Sequence, residues 1–249
     1  LVATPTYAMH LAEVAREQGY ETATSTIRCV LVAGEPGGSL EAVRHQISSA
    51  WGADVLDHAG ATEIGPWGVG CLEHSGLEVI EEWFHPEFLG ISTSRSAREG
   101  ESAELVLTTL GRNGCPVIRY RTGDVVHPVW PTEQEVAAGA SPRVWLKGGI
   151  LGRTDDMLVV RGVNIFPSAV ENIIRGFPEV LEYRLTVNRE ENLDALSIEI
   201  EDHLSAPARI AQELHVRLGL RVDVTNVAVG TLPRFEGKAR RVIDNRKKS

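Results

Sequence analysis

Five stretches of this 249-residue chain hold side chains whose types could do chemistry. Ala59-Gly60-Ala61-Thr62-Glu63 places a hydroxyl beside an acid after a glycine-bordered run, and Gly34-Glu35-Pro36 offers small residues that let backbone approach a flat ring. Tyr120-Arg121-Thr122-Gly123-Asp124 ends on a short carboxylate, suited to accepting from two vicinal hydroxyls. A Gly152-Arg153 turn precedes the adjacent acids Asp155 and Asp156. Lys238 follows Gly237, which frees its loop to extend, and its ammonium is a compact point charge on a flexible stem. Each also has a plain structural reading: Thr62-Glu63 as a helix start, Gly34 to Pro36 as a tight turn, Asp124 as a turn cap. Arg153 and Lys238 could equally be solvated surface cations, the latter beside the basic tail of Arg240, Arg241, Arg246, Lys247 and Lys248.

The elements that must position these groups follow from patterning. Thr4-Pro5 opens a helix running to Gly19, with Leu1 already inside the helical pattern. Residues 27–33 form a buried strand, Ser39 caps a helix with Leu40, Val43, Ile47 and Trp51 on one face, and residues 54–58 form a second strand. Strand, helix, strand in this order predicts a parallel α/β unit, whose ligands sit beyond the carboxyl ends of the strands. Short strands at 77–80, 104–110, 117–120 and 125–129 predict a β-rich subdomain, read as a small barrel, with a hairpin turn at 111–114; residues 131–142 are a loop or short helix. Beyond a strand at 157–160 and the Arg161-Gly162 break, Pro167 starts a helix ending at Gly176. Strands at 182–188, 195–201 and 222–229 and a helix over 206–218 complete an α+β unit.

Composition sets outer limits. Hydrophobic content of 43% and charged content of 24% are those of a globular protein with a proper core. The net charge of −9 argues against nucleic acid or an anionic membrane as the main partner, so an anionic ligand needs a local site. No apolar run reaches the roughly 18 residues of a spanning helix. Three scattered cysteines, Cys29, Cys71 and Cys115, suit reduced thiols packed in a cytoplasmic protein.

Taken in order, Ala59-Gly60-Ala61-Thr62-Glu63, Tyr120-Arg121-Thr122-Gly123-Asp124, residues 152–171 and Pro233-Arg234-Phe235-Glu236-Gly237-Lys238-Ala239-Arg240-Arg241-Val242 resemble the adenylate-forming ligases, most closely the phenylacetate–CoA ligase branch. The resemblance covers essentially the whole chain. It implies the C-terminal part of a large α/β domain with a β-rich subdomain (residues 1–151), a hinge (152–156) and a small mobile α+β domain (157–249). It also implies activation of a carboxylic acid, aryl or arylacetic, by ATP to an acyl-adenylate, then transfer to coenzyme A. Lys238 then bridges the incoming carboxylate and the α-phosphate, Thr62 faces that phosphate, and Glu63 is the Mg²⁺-associated acid. Asp124 holds the ribose, Arg153 reaches the nucleotide, and Gly34, Glu35 and Pro36 pass beside adenine. Asp155 is the pivot and Gly162 lies on the face that meets the thiol donor.

Departures from the family pattern carry their own expectations. The loop for the β- and γ-phosphates has no counterpart here, so the chain is expected to be the C-terminal portion of a longer protein, with little activity alone. The aromatic that stacks on adenine in many relatives is replaced by Ala59, with His58 or Trp67 as substitutes. Some relatives hold a structural zinc between the Thr62-Glu63 and Tyr120–Asp124 stretches; here Cys71, His74 and Cys115 would need a further ligand such as His85, and zinc is not expected. Two alternatives stay open: an enzyme loading a carrier-protein thiol, and a non-catalytic or degenerate family member. A homodimer is also open.

Overall fold

The computed structural model describes residues 1–91, 93–190, 193–235 and 240–246, so Glu236, Gly237, Lys238 and Ala239 lie outside the described residues, as do Lys247 and Lys248. Two compact units divide the chain, Leu1–Asp155 and Asp156–Ser249.

The first unit begins with strand β1 (Val2–Ala3), helix α1 (Pro5–Glu17), strand β2 (Cys29–Ala33), helix α2 (Glu41–Trp51) and strand β3 (Asp54–Ala61). The chain therefore does not open inside a helix. Val2 and Ala3 pair in parallel with Leu31 and Val32, and the helix starts only at Pro5, with Thr4 accepting from the Tyr7 N–H. β2 and β3 are also parallel, and Ala8, Val30, Val32, Val43, Ile47, Trp51 and Val55 form a buried cluster between helices and strands. Nor does Ser39 cap α2: Leu40 is the N-cap, with no side-chain bond, because the Ser39 hydroxyl donates instead to Asp57 Oδ2 at 2.5 Å.

β3 continues past His58 into a hairpin with β4 (Gly65–Gly70), followed by β5 (Gly76–Val79), β6 (Phe84–Gly90), β7 (Ala103–Thr109) and β8 (Tyr120–Val129). Helix α3 (Glu133–Ala137) is closed by a reciprocal Thr132–Glu135 capping box, and β9 (Trp145–Arg153) completes the unit. All nine strands form one sheet in the order β1-β2-β3-β4-β5-β9-β8-β7-β6. The expected small barrel is thus the antiparallel continuation of the parallel sheet, packed around Ile64, Trp67, Leu77, Val79, Leu105, Leu107, Val126 and Leu146. Residues 117–119 are not a strand; the left-handed Arg119 (φ 52°) breaks the extended path, and pairing starts at Tyr120.

The second unit opens with the hairpin of β10 (Leu158–Val160) and β11 (Val163–Ile165), joined by Arg161 and Gly162 at φ 51° and 79°, the twist a two-residue turn requires. Helix α4 (Pro167–Arg175), strands β12 (Val180–Glu190) and β13 (Leu193–Asp202), helix α5 (Pro207–Leu218), and strands β14 (Asp223–Asn226) and β15 (Val242–Asp244) follow. The four-stranded sheet runs β14-β13-β12-β15, and its core is Val160, Ile165, Val170, Ile174, Leu185, Val187, Ile198, Ile200, Ile210 and Leu214. The basic tail is not simply solvated. Arg241 is buried against Glu182 and Glu171, and Arg246 pairs with Asp244 and Asp194 while donating to the Val159 carbonyl. Arg240 is exposed. The chain is a mixed α/β protein, and no helix of the described residues is long and apolar enough to cross a membrane.

Candidate functional site

The parallel strands β2 and β3 deliver two of the sequence-derived stretches at their carboxyl ends. After β2, Gly34 (φ 94°) and Pro36 are exposed, so the loop presents backbone to its surroundings. The Glu35 carboxylate faces another way: its Oε1 accepts from the Thr6 N–H at 2.7 Å, in the first turn of α1, where a negative charge is favoured. After β3, Thr62 and Glu63 are exposed on the turn into β4, and the Glu63 carbonyl accepts from Arg112 at 3.0 Å.

β8 and β9 then carry Asp124 and Arg153 to one place. These two residues are paired across the ladder, and Arg153 Nη1 lies 3.2 Å from the Thr122 carbonyl and 3.4 Å from Asp124 Oδ1. Arg153 Nε also donates to Asp155 at 2.9 Å. Gly123 makes the arrangement feasible. Its φ is 74°, and a Cβ there would stand 2.9 Å from Arg153 Nη2. Thr122 anchors the turn from below, its hydroxyl donating to the Leu105 carbonyl and accepting from the Asp124 N–H. Tyr120 links this pair to the other turn: burial, then the nearby Glu63 charge, hold its phenol above the ordinary range. Glu63, Tyr120, Asp124 and Arg153 therefore share one neighbourhood, built from three distant stretches of sequence.

Asp124 is itself perturbed. Burial pushes its carboxyl up from 3.8 to about 6, against the opposing pull of Arg153 and the Thr122 hydroxyl. Asp57, a residue the motifs did not point to, behaves alike. Burial raises it to about 6, opposed by the Ser39 hydroxyl, the His58 N–H and Arg44. It ties β3 to the loop that begins at Gly34, and the surrounding backbone is tight: a Cβ on Gly38 would come within 2.6 Å of Asp57 Oδ1, and one on Gly70 within 2.7 Å of its N. Alternation was the available signal, since Asp57 lies between Val55 and Ala59, both buried on the same face.

Trp67 is 1% exposed in the sheet core, so it does not replace the missing aromatic at Ala59; His58 is partly accessible. Arg161 and Gly162 are exposed on their turn in the second unit, and Asp155 ends the first. Cys29 and Cys115 are exposed rather than packed, because each sits at a strand end or in a loop. Cys71, His74 and Glu78 bring ligand atoms within 4.8 Å of one another, and neither Cys115 nor His85 joins them. Among the described residues this cluster offers three donors, one of them a carboxylate shared with Ser141 and Arg143, where a structural zinc site takes four.

Residues 162–246 match the family described as the AMP-binding enzyme C-terminal domain. The chain as a whole is similar to phenylacetate–coenzyme A ligases. It is 34% identical to that of Escherichia coli (strain K12), over 99% of this chain and 58% of the relative, and 34% identical to that of Thermus thermophilus, over 98% and 60%. It thus spans about three-fifths of the length of the curated relatives it matches. Among solved structures, a 2-hydroxyisobutyryl-CoA ligase in the postadenylation state, in complex with R3-HIB-AMP, superposes with a TM-score of 0.88 at 30% identity, over 98% of this chain and 54% of that one.

Proposed function

We propose that the protein is an ATP-dependent acid–CoA ligase acting on an aryl or arylacetic acid. A substrate carboxylate oxygen attacks the α-phosphorus of ATP, the bond to pyrophosphate breaks, and an acyl-adenylate forms. The sulfur of coenzyme A then attacks the acyl carbon, the thiol proton leaves to solvent, and AMP departs as the acyl carbon–oxygen bond breaks. The observation that supports this reading is the convergence of Glu63, Tyr120, Asp124 and Arg153, in a chain similar along 99% of its length to phenylacetate–CoA ligases.

In this reading Asp124 accepts from the ribose hydroxyls and Arg153 lies against the nucleotide while fixing Asp124. Backbone at Gly34, Glu35 and Pro36 borders the adenine, and the Thr62 hydroxyl donates to an α-phosphate oxygen. Lys238 neutralises charge shared between the substrate carboxylate and that phosphate, the kind of positioned cation that phosphoryl transfer demands. The carboxylate of Glu63, exposed at a strand end, fits Mg²⁺, which binds hard oxygens and keeps waters and phosphates as its remaining ligands. When bound, that ion would supply charge neutralisation at the phosphates. Asp155 is the pivot and Gly162 borders the thiol donor.

The test is acid-dependent exchange of pyrophosphate into ATP by the protein expressed from its complete reading frame. Lys238→Ala is expected to slow exchange by roughly 100-fold or more, the scale of removing one preorganised charge from a transition state. Absence of acid-dependent exchange, with aryl and arylacetic acids tried, would sink the proposal. A carrier-protein thiol that outcompetes coenzyme A would move it to the related acyl-loading class.

A further inference from the structure

The turn that carries Thr62 and Glu63 has little of its own to hold it. It follows an irregularity in the β3–β4 pairing between Ala59 and Gly60, the kind of feature that re-aims side chains at the rim of a sheet. Ile64 anchors its far side: that side chain is fully buried, and its N–H donates to the Ala61 carbonyl at 3.2 Å. Thr62 and Glu63 themselves are exposed, so packing does not choose their direction.

A constraint arrives from the connection between β7 and β8. Arg112 Nη1 donates to the Glu63 carbonyl at 3.0 Å, across 49 residues of sequence, and lies against Gly65, where an added Cβ would stand 3.7 Å from it. Arg119 and Arg121, further along the same connection, pair with Glu87 and Glu104. The Arg112 guanidinium makes no ion pair among the described residues, and its described hydrogen bond goes to that backbone carbonyl. A charged donor makes the stronger kind of hydrogen bond, and a guanidinium keeps its charge at every working pH. Holding the carbonyl fixes ψ at Glu63, one of the two soft torsions that set where the residue's side chain departs. The base of the Arg112 turn is fixed in its own right. The Leu110 N–H donates to the Trp83 carbonyl at 2.9 Å, and the exposed Trp83 ring lies so close to Gly111 that a Cβ there would stand 2.5 Å from it.

We propose that Arg112 is a positioning residue for Glu63, fixing the backbone of its turn so that the Glu63 carboxylate is presented in one direction to Mg²⁺ and the phosphates. The inference rests on the reading of Glu63 as the Mg²⁺-associated acid. It predicts a defect in the Mg²⁺ dependence of nucleotide binding that leaves the ribose end intact, because Asp124 is held separately, by Arg153 and by its own N–H on the Thr122 hydroxyl.

The test uses the protein expressed from its complete reading frame. Calorimetry measures ATP affinity with and without Mg²⁺ and AMP affinity without it, and pyrophosphate exchange is titrated with Mg²⁺. Arg112→Met keeps the apolar stem at an exposed position and removes the donors. It is expected to raise the Mg²⁺ concentration for half-maximal exchange by about ten-fold, part of the loss that a misplacement on the order of 1 Å brings, and to weaken Mg²⁺-dependent ATP binding to match. Melting temperature and Mg²⁺-free AMP affinity should stay near wild type, a split that a general loosening of the fold would not give. Arg112→Lys, which keeps a charged donor, should recover much of the Mg²⁺ dependence. Glu63→Gln, as the control, should show the Mg²⁺ defect in full. Wild-type Mg²⁺ dependence in Arg112→Met, or an equal loss of Mg²⁺-free AMP affinity, overturns the inference provided Glu63→Gln is defective. Wild-type Mg²⁺ dependence in Glu63→Gln would defeat the underlying reading instead.

Discussion

Asp124 and Asp57 are both carboxyls that burial moves from 3.8 to about 6, and the direction of that shift has two consequences. For binding, the proposed role of Asp124 as an acceptor from ribose hydroxyls is served best by the ionised carboxylate. AMP affinity is therefore expected to be flat above pH 7 and to weaken as pH falls through 6, by up to about ten-fold per pH unit, in a titration run from pH 8 to 5. Affinity rising toward low pH would remove Asp124 from the nucleotide. For stability, a carboxyl whose folded value is raised binds more protons folded than unfolded. It lowers stability above about pH 6, and that cost fades as pH falls toward 3.8. Asp57→Asn is thus expected to stabilise the protein at pH 8 by at most about 3 kcal/mol, since each pKa unit corresponds to about 1.4 kcal/mol, and to flatten part of the pH dependence seen in urea unfolding. A less stable Asp57→Asn with undiminished pH dependence would count against this account. Asp124 was visible in the sequence because a motif surrounds it. Asp57 was marked only by its alternation with Val55 and Ala59, a weak signal until the partner strand and Ser39 close over it.

Elements determine whether these residues meet. Gly123 sits inside β8 at φ 74°, in space that the Arg153 guanidinium fills from β9. Gly123→Ala combines a left-handed alanine with that collision. It is expected to cost about 1–2 kcal/mol and to weaken AMP binding as Arg153 is displaced, while Gly114→Ala, at an open position, leaves binding unchanged. Equal AMP affinity in both variants would show that the close approach has no role. Helices α1 and α4 were legible because Pro5, Pro167 and the 3.6-residue spacing mark them locally, and the parallel strands β2 and β3 because each is a short apolar run, whereas β1 was read as helix and β15 as solvated tail. β4, rich in glycine with a proline, carries turn-forming residues and no strand signal; it is extended because β3 and β5 pair with it on either side, information that lies elsewhere in the chain. Pairing likewise merged the expected barrel into the parallel sheet. The convergence of Glu63 with Asp124 was implied only by the family resemblance and not by local pattern, since it depends on β9 inserting between β5 and β8.

For the whole molecule, the core of the second unit draws every member from residues beyond 155. Residues 156–249 expressed alone are expected to unfold in a single cooperative thermal transition. Within that unit Arg241→Ala should be severe, on the order of 3–5 kcal/mol, because it strands Glu182 in the interior, whereas Arg217→Ala, on a solvated Glu213 pair, should stay within about 0.5 kcal/mol. Absence of a cooperative transition would mean that this core is insufficient by itself. Charge counting in the sequence placed Arg241 in a solvated tail, since nothing local reveals that β15 returns alongside β12 and draws it inside.

The position of β6 at the end of the nine-stranded sheet bears on solubility. An outermost strand offers unpaired amides and carbonyls to any other chain, which is how sheets nucleate aggregates. Here the far half of that edge is occupied by the molecule itself, through the Leu89–Ser96 bridge, Ala97 N–H donating to the Phe88 carbonyl, and Gly90 N–H donating to that of Arg95. The near half carries Pro86, which has no amide hydrogen to lend, and the Glu87–Arg119 ion pair. Among the described residues, the β6 margin of the sheet thus offers little unpaired backbone on which a further strand could grow.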